Sequence, residues 1–157
     1  ARAPPQLEEK MTQSRERKIP YDETIAEEFL NNKMDGGGLQ TFLGIQIVEA
    51  GPGFLRGQLD VRPELLTPFG NMHGGVLSAF CDHMLGCVCY PAMNKGQWAA
   101  TTEFKINLTA PVSKGEVDAT AAIVNISRTQ AVVRIDVTND GRTAAVAQGT
   151  VTIRDQR

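Results

Sequence analysis

The stretch Leu66-Thr67-Pro68-Phe69-Gly70-Asn71-Met72-His73-Gly74-Gly75-Val76-Leu77-Ser78-Ala79-Phe80-Cys81-Asp82-His83-Met84-Leu85-Gly86-Cys87-Val88-Cys89-Tyr90-Pro91 reads as a tight loop feeding one long, nearly uncharged helix. Pro68 and Gly70 mark the turn, and the helix is expected to begin near Gly75. Pro91 closes it, because the residue before a proline is pushed out of the helical region. On a wheel of about 100° per residue, Val76, Leu77, Phe80, Met84, Leu85 and Val88 crowd one broad side. Gly75, Ser78, Ala79, Asp82 and Gly86 fall on the other. Water-facing stripes are normally written with Lys, Glu and Arg. This helix is therefore predicted to be covered twice, by a sheet on its apolar side and by a close-fitting neighbour, such as a second copy of the chain, on its small side.

Glycines at the helix start leave the first backbone N–H groups open to close approach. Those groups have no intrahelical acceptor and favour an oxygen bearing negative charge. Asp82 lies about two turns further along the same stripe as Gly75. Donors that could polarise a carbonyl and a carboxylate that could act on it are thus expected to open into one groove.

Strand signals flank the helix. Phe42 to Ala50 alternates, the Gly51-Pro52-Gly53 turn follows, and Phe54 to Val61 alternates again, which is a hairpin pattern. After the helix come Trp98 to Leu108, Glu116 to Ser127, Gln130 to Thr138 and Thr143 to Arg154, with Asn139-Asp140-Gly141 a strong hairpin turn. In Trp98 to Leu108 a strict period of two would set Thr101, Glu103, Lys105 and Asn107 on one face and Thr102, Phe104, Ile106 and Leu108 on the other. An α+β fold is expected, with an antiparallel sheet of about six strands wrapped around the one long helix. Before it, Asp22 is a plausible N-cap for a short amphipathic helix carrying Ile25, Ala26, Phe29 and Leu30 and ending near Asn31 to Met34. Ala1 to Lys18 reads as a mobile extension or capping arm, and Gly36-Gly37-Gly38 as a flexible joint.

The 157 residues, 41% hydrophobic and 22% charged, suit one globular domain with a real core. A net charge of -2 gives no support for nucleic-acid binding. No stretch approaches the ~18–20 apolar residues of a bilayer span, and the polar N-terminal stretch lacks a signal-peptide core, so a cytoplasmic protein is expected. The three cysteines all lie in Cys81 to Cys89. Cys87 and Cys89 point about 200° apart on a helix, which suits three buried small hydrophobes better than a redox pair or a zinc knuckle.

His73-Gly74-Gly75, six residues, then Asp82, with a glycine-bearing loop before and a strand-rich half after, resembles the hotdog-fold acyl-CoA thioesterases of the phenylacetate-degradation PaaI type. The resemblance covers roughly Leu39 to Arg154. It implies a hotdog domain over residues 39–157, with residues 1–38 an N-terminal extension. It further implies that the backbone amides of His73 and Gly74 polarise a thioester carbonyl while Asp82 attacks it or activates water. Family members usually carry Asn or Gln six residues before the His, where this chain has Thr67; Asn71 stands two residues before. A hydroxyl or amide on the strand after the helix often assists, and Thr101 or Thr102 matches it. Asn71, Gly75, Thr67, Thr101 and Thr102 are therefore the expected substrate-binding residues. The substrate would be an acyl-CoA, with coenzyme A part of the substrate and no separate cofactor. The partner would be a second copy of the chain, in a homodimer with shared sites, or a dimer of dimers.

Competing readings rest on the same residues. Thr67 in place of the usual amide suits a module that binds acyl-CoA without cleaving it. His83 beside Asp82 suits a hotdog hydratase or dehydratase, although the two side chains diverge by about 100° on a helix. The ten-residue gap between His73 and His83 is not the spacing of helical metal ligands, so no metal is expected. Ser78 lacks the G-x-S-x-G setting of a nucleophile elbow. Lys105, Lys114, Arg128 and Arg142 are candidate phosphate contacts, none favoured over the rest.

Overall fold

The computed structural model describes residues 19–31 and 37–156. The expected arm at residues 1–18, and the parts of the helix end and glycine joint at residues 32–36, lie outside them. Helix α1 (Glu23–Leu30) is capped by Asp22, whose carboxylate accepts from the N–H groups of Thr24 and Ile25. A one-turn helix α2 (Leu39–Leu43) follows. Strands β1 (Gln46–Gly51) and β2 (Phe54–Asp60) form the first hairpin, then helix α3 (Gly74–Cys87) runs for 14 residues. Strands β3 (Gln97–Leu108), β4 (Glu116–Ile126), β5 (Gln130–Asn139) and β6 (Arg142–Asp155) complete the chain.

All six strands make one antiparallel sheet in the order β1-β2-β4-β5-β6-β3. The sheet curls around α3, which is the hotdog arrangement. Strand alternation gives the sheet one apolar face: Val117, Ala119 and Ala121 of β4, Val133, Ile135 and Val137 of β5, and Val151 and Ile153 of β6 are all buried. Against it lie Leu77, Phe80, Cys81, Met84 and Leu85 of α3, each at most 3% exposed. Close contact is possible because β2 carries Gly57 there; a Cβ at that position would stand 2.7 Å from the Met84 sulfur. The outward stripe of α3 is different: Asp82 is exposed, and Ser78, Ala79 and Gly86 are only half-buried. The apolar side of α3 is covered by the sheet, as its sequence requires, and the small side is left uncovered within one protomer.

Two expectations need correction. The first strand does not begin at Phe42. Phe42 and Leu43 belong to α2, which ends at Gly44 in the left-handed region (φ 75°) with its N–H bonded back to Gln40 and Thr41 carbonyls. Nor does β3 keep a strict period of two. A bulge between Thr101 and Glu103 inserts one residue. Thr101 consequently pairs opposite the buried Val151 and shares the helix-facing side with Phe104, which pairs with Gly149. Thr102 hydrogen-bonds Thr152 on the opposite side of the sheet. The expected hairpin at Asn139-Asp140-Gly141 is present, with Asp140 and Gly141 both at positive φ (51° and 71°), the pairing that a tight two-residue hairpin demands.

Candidate active site

The loop before α3 is pinned at both ends. Thr67 N–H donates to the Asn71 carbonyl (2.7 Å), Met72 N–H to Val112 (2.6 Å) and His73 N–H to Leu65 (2.9 Å). His73 is the N-cap of α3, and its ring nitrogen Nδ1 accepts from Gly75 N–H at 2.9 Å. Val76 N–H returns to the His73 carbonyl. Of the donors that open the helix, the Gly74 N–H is the one left without an acceptor among the described residues. The expectation that the His73 amide faces the ligand thus meets a competing bond: that N–H already serves Leu65. The His73 ring holds the turn, and the open donor is Gly74.

Asp82 lies one stripe along. Its carboxylate is exposed and makes no hydrogen bond to any described residue. It lines a cavity of about 830 Å³ together with Ser78, Ala79, Gly86, Thr101 and Phe104. Both candidate hydroxyl residues line it: Thr101 sits on the helix-facing side of β3, and the Thr102 hydroxyl is hydrogen-bonded to Thr152. Ser78 donates to the Gly74 carbonyl at 2.9 Å, an ordinary satisfied helix serine. Thr67 and Asn71 do not line this cavity. The Thr67 hydroxyl accepts from Phe69 N–H within the turn at 3.3 Å. Gly74 opens instead onto a separate hollow with Leu77, Leu108 and Pro111. Eight residues of helix at ~1.5 Å each put Gly74 and Asp82 about 12 Å apart along the axis. One protomer therefore displays the donor and the acid on one helix without bringing them to one point.

The candidate phosphate contacts also separate. Lys114 and Arg142 line one hollow, but Glu116, Asp118 and Asp140 share it. Lys105 lines another with Arg134.

Sequence reasoning gave no site role to Tyr90, Glu103 or Phe29, and weighed His83 only as an acid/base partner of Asp82; all four are on the cavity wall. His83 Nε2 lies 3.3 Å from the Cys87 sulfur one turn on. That i, i+4 spacing was a signal in the sequence; the reach of Phe29 from α1 was not. Burial holds the His83 imidazole below its ordinary 6.5, against the opposite pull of the Asp82 charge. On acidification the unfolded chain therefore takes up this proton first, and stability falls as the pH drops through 6.5 toward the folded value. The thermal midpoint measured from pH 7 to pH 5 should decline, and His83→Gln should flatten that part of the decline.

The three cysteines are free and buried, and burial pushes each thiol up to about 12. Since the thiolate is the reactive form, a disulfide-exchange dye should leave the native protein almost untouched and titrate all three thiols after unfolding. Fast native reaction would show one of them to be reachable. Among the described residues no group of three or more His, Cys, Asp or Glu could hold a metal ion, and no helix is long and apolar enough to cross a membrane.

The antiparallel sheet curled around one long helix is the architecture of the hotdog thioester hydrolases. The chain belongs to the thioesterase superfamily, whose family model matches residues 69–146. Protein Rv1847 of Mycobacterium tuberculosis is 31% identical over 116 residues, covering 72% of this chain and 82% of the relative. A 1,4-dihydroxy-2-naphthoyl-CoA hydrolase of Listeria monocytogenes is 27% identical over 121 residues, 76% of this chain and 98% of the relative. The solved structure of thioesterase HI1161 from Haemophilus influenzae superposes with a TM-score of 0.75 at 25% identity, over 80% of this chain and 88% of that one.

Proposed function

We propose that this chain hydrolyses acyl-CoA thioesters at sites shared between two protomers, with Asp82 as nucleophile or general base and the Gly74 N–H as the donor to the thioester oxygen. The observation that carries this reading is a pair of groups on one helix without partners among the described residues: a carboxylate with no hydrogen bond, and an N–H with no acceptor, about 12 Å apart by helical rise. A second copy laid antiparallel against the uncovered stripe would bring the donor of one helix to the acid of the other. The stripe suits such a neighbour, since Gly75, Ser78, Ala79 and Gly86 leave room for it.

In this arrangement the carbonyl oxygen takes the Gly74 N–H, aided by the positive end of the helix. Asp82 either attacks the carbonyl carbon, expelling the coenzyme A thiolate and leaving a mixed anhydride that water opens, or takes a proton from a water that attacks that carbon while the C–S bond breaks and the proton passes to the departing thiolate. The Thr101 hydroxyl, facing the cavity from β3, is placed to hold that water or the thioester. Asn71, whose side chain makes no hydrogen bond to a described residue, and Gly75 flank the donor and would border the substrate. His73 supports the site through its ring, by fixing the turn. Thr67 acts through the turn it closes. The likeness to a naphthoyl-CoA hydrolase supports coenzyme A as the leaving group. No cofactor enters the chemistry, since the acid and the backbone donor suffice for acyl transfer to water.

The test is thiol release. Purified protein given acetyl-, hexanoyl-, phenylacetyl- and palmitoyl-CoA with a thiol-reactive dye should liberate coenzyme A from at least one of them catalytically. Binding of these thioesters without release would overturn the hydrolytic reading.

A further inference from the structure

His83 follows Asp82 in α3 and lines the same open groove, half-buried where the acid is exposed. Its ring is held on one side, with Nε2 3.3 Å from the Cys87 sulfur. Cys87 is 6% exposed, and its thiol keeps its proton because burial pushes it up to about 12. The Cys87 sulfur has no other hydrogen-bond partner among the described residues. A buried S–H finds its acceptor only if Nε2 receives it, so the thiol donates and Nε2 accepts. Burial keeps the imidazole neutral at pH 7. A neutral ring that accepts at one nitrogen carries its proton on the other. Cys87 thereby places the ring proton on Nδ1.

Nδ1 has no partner among the described residues, yet it is not sealed in: the one enclosed side-chain nitrogen or oxygen there without a partner is Arg62 Nε. The Nδ1–H is a donor reachable from the groove. Other polar side chains of the groove wall are already engaged, Ser78 with the Gly74 carbonyl, Thr102 with Thr152 and Glu103 with Thr150. The imidazole is near enough to Asp82 for the carboxylate charge to act on it. Adjacent side chains leave a helix about 100° apart, so the two do not share a proton. They meet a bound molecule from two directions.

A thioester carbon calls for such a pair, because oxygen arrives on one side of it and sulfur departs on another with negative charge gathering on the sulfur. We infer that His83 is a further catalytic residue of the shared site: its Nδ1–H donates to the thioester sulfur as the C–S bond breaks, and Cys87 is the positioning residue that holds the ring in the tautomer this requires. This rests on the hydrolytic reading of Asp82. His83 keeps its proton throughout. The hydrogen bond strengthens as charge reaches the sulfur and is exchanged for water when coenzyme A departs.

The experiment measures kcat by thiol release in the full chain for two thioesters of one acyl group, the coenzyme A ester turned over fastest and its thiophenyl counterpart. The more acidic aromatic thiol leaves with less help. His83→Phe, which fills the place of the ring and carries no donor, should lower kcat about 10–100-fold on the coenzyme A ester, the worth of one hydrogen bond to a charged group. On the thiophenyl ester the loss should stay below about threefold. His83→Asn, whose amide nitrogen can stand in for Nδ1, should lose less than His83→Phe on the coenzyme A ester. Cys87→Ala, which frees the tautomer, should show the same selective loss on a smaller scale, and Cys87→Ser, which keeps a donor to Nε2, should lose less than Cys87→Ala. Equal losses on the two esters, or no loss in a folded His83→Phe protein, would overturn the role at the sulfur and leave Asp82 in place. Absence of thiol release from every thioester by the unaltered chain would instead bring down the hydrolytic reading beneath it.

Discussion

Asp82→Asn should lower kcat for thioester hydrolysis by about 10²–10⁴-fold, the usual worth of a positioned acid or base, with KM changed little. The carboxamide keeps the shape of the side chain and loses its charge and basicity. Stability should hardly respond, because Asp82 is exposed and hydrogen-bonds to nothing described. Surface changes of that kind stay within about 0.5 kcal/mol, or about 1–2 °C in a chain of this size. Activity within a few fold of the parent, in a protein with an unaltered melting curve, would remove Asp82 from the reaction.

The same variant tests whether the two halves of the site come from different chains. Gly74 is the first helical residue, where proline is tolerated because the N–H it deletes has no intrahelical acceptor. The preceding His73, at φ -64° and ψ 132°, already has the extended backbone that a following proline requires. Gly74→Pro therefore removes the proposed oxyanion donor; its Cβ would stand 2.7 Å from Leu108 Cδ1, the free end of a half-exposed side chain that must turn aside, and kcat should fall about 10²–10³-fold. Asp82→Asn and Gly74→Pro proteins, dissociated and reassembled together, should recover activity that neither has alone, since a mixed dimer contains one intact site. No recovery would place the acid and the amide on the same chain.

The sequence made the frame legible and the connections less so. Alternation over Val117, Ala119 and Ala121 or over Val133, Ile135 and Val137 identifies strands because a half-buried sheet forces it. The nearly uncharged α3 with its small stripe identifies the central helix. Phe42 and Leu43 misled because three alternating residues fit a strand equally well, and only the left-handed Gly44 decides for a helical turn. The bulge at Thr101 carries no residue signature, yet it leaves both threonines on the cavity lining while only Thr102 is tied to Thr152. The bond from His73 N–H to Leu65 spans eight residues of loop and is set by packing, so which amide stays open had to come from the structure. Phe29 could be read as the buried face of an amphipathic helix; that its ring would meet Tyr90 on the cavity wall is a long-range fact.

Phe80→Ala should be the most destabilising single change. Phe80 is 0% exposed. It lies on the apolar side of α3, two residues before Asp82, and its ring edge would stand 3.3 Å from a Cβ at Gly57. Gly57 belongs to the sheet's closest approach to the helix, so removing the ring leaves a hole that rigid strands on one side and α3 on the other cannot readily fill. Truncating a buried Phe in such a setting costs about 3–5 kcal/mol, against a total stability of about 5–15 kcal/mol for a domain. The thermal midpoint should fall by about 6–20 °C at ~2–4 °C per kcal/mol, read by circular dichroism. Below that midpoint the folded fraction should still turn over thioester, because the cavity lining does not include Phe80. Phe80→Leu, which keeps most of the volume, should recover more than half of the lost stability. A drop of less than about 1 kcal/mol for the alanine variant would mean that the sheet collapses onto the helix freely, and that the contact between the glycine-lined strand and α3 is not what fixes the position of Asp82.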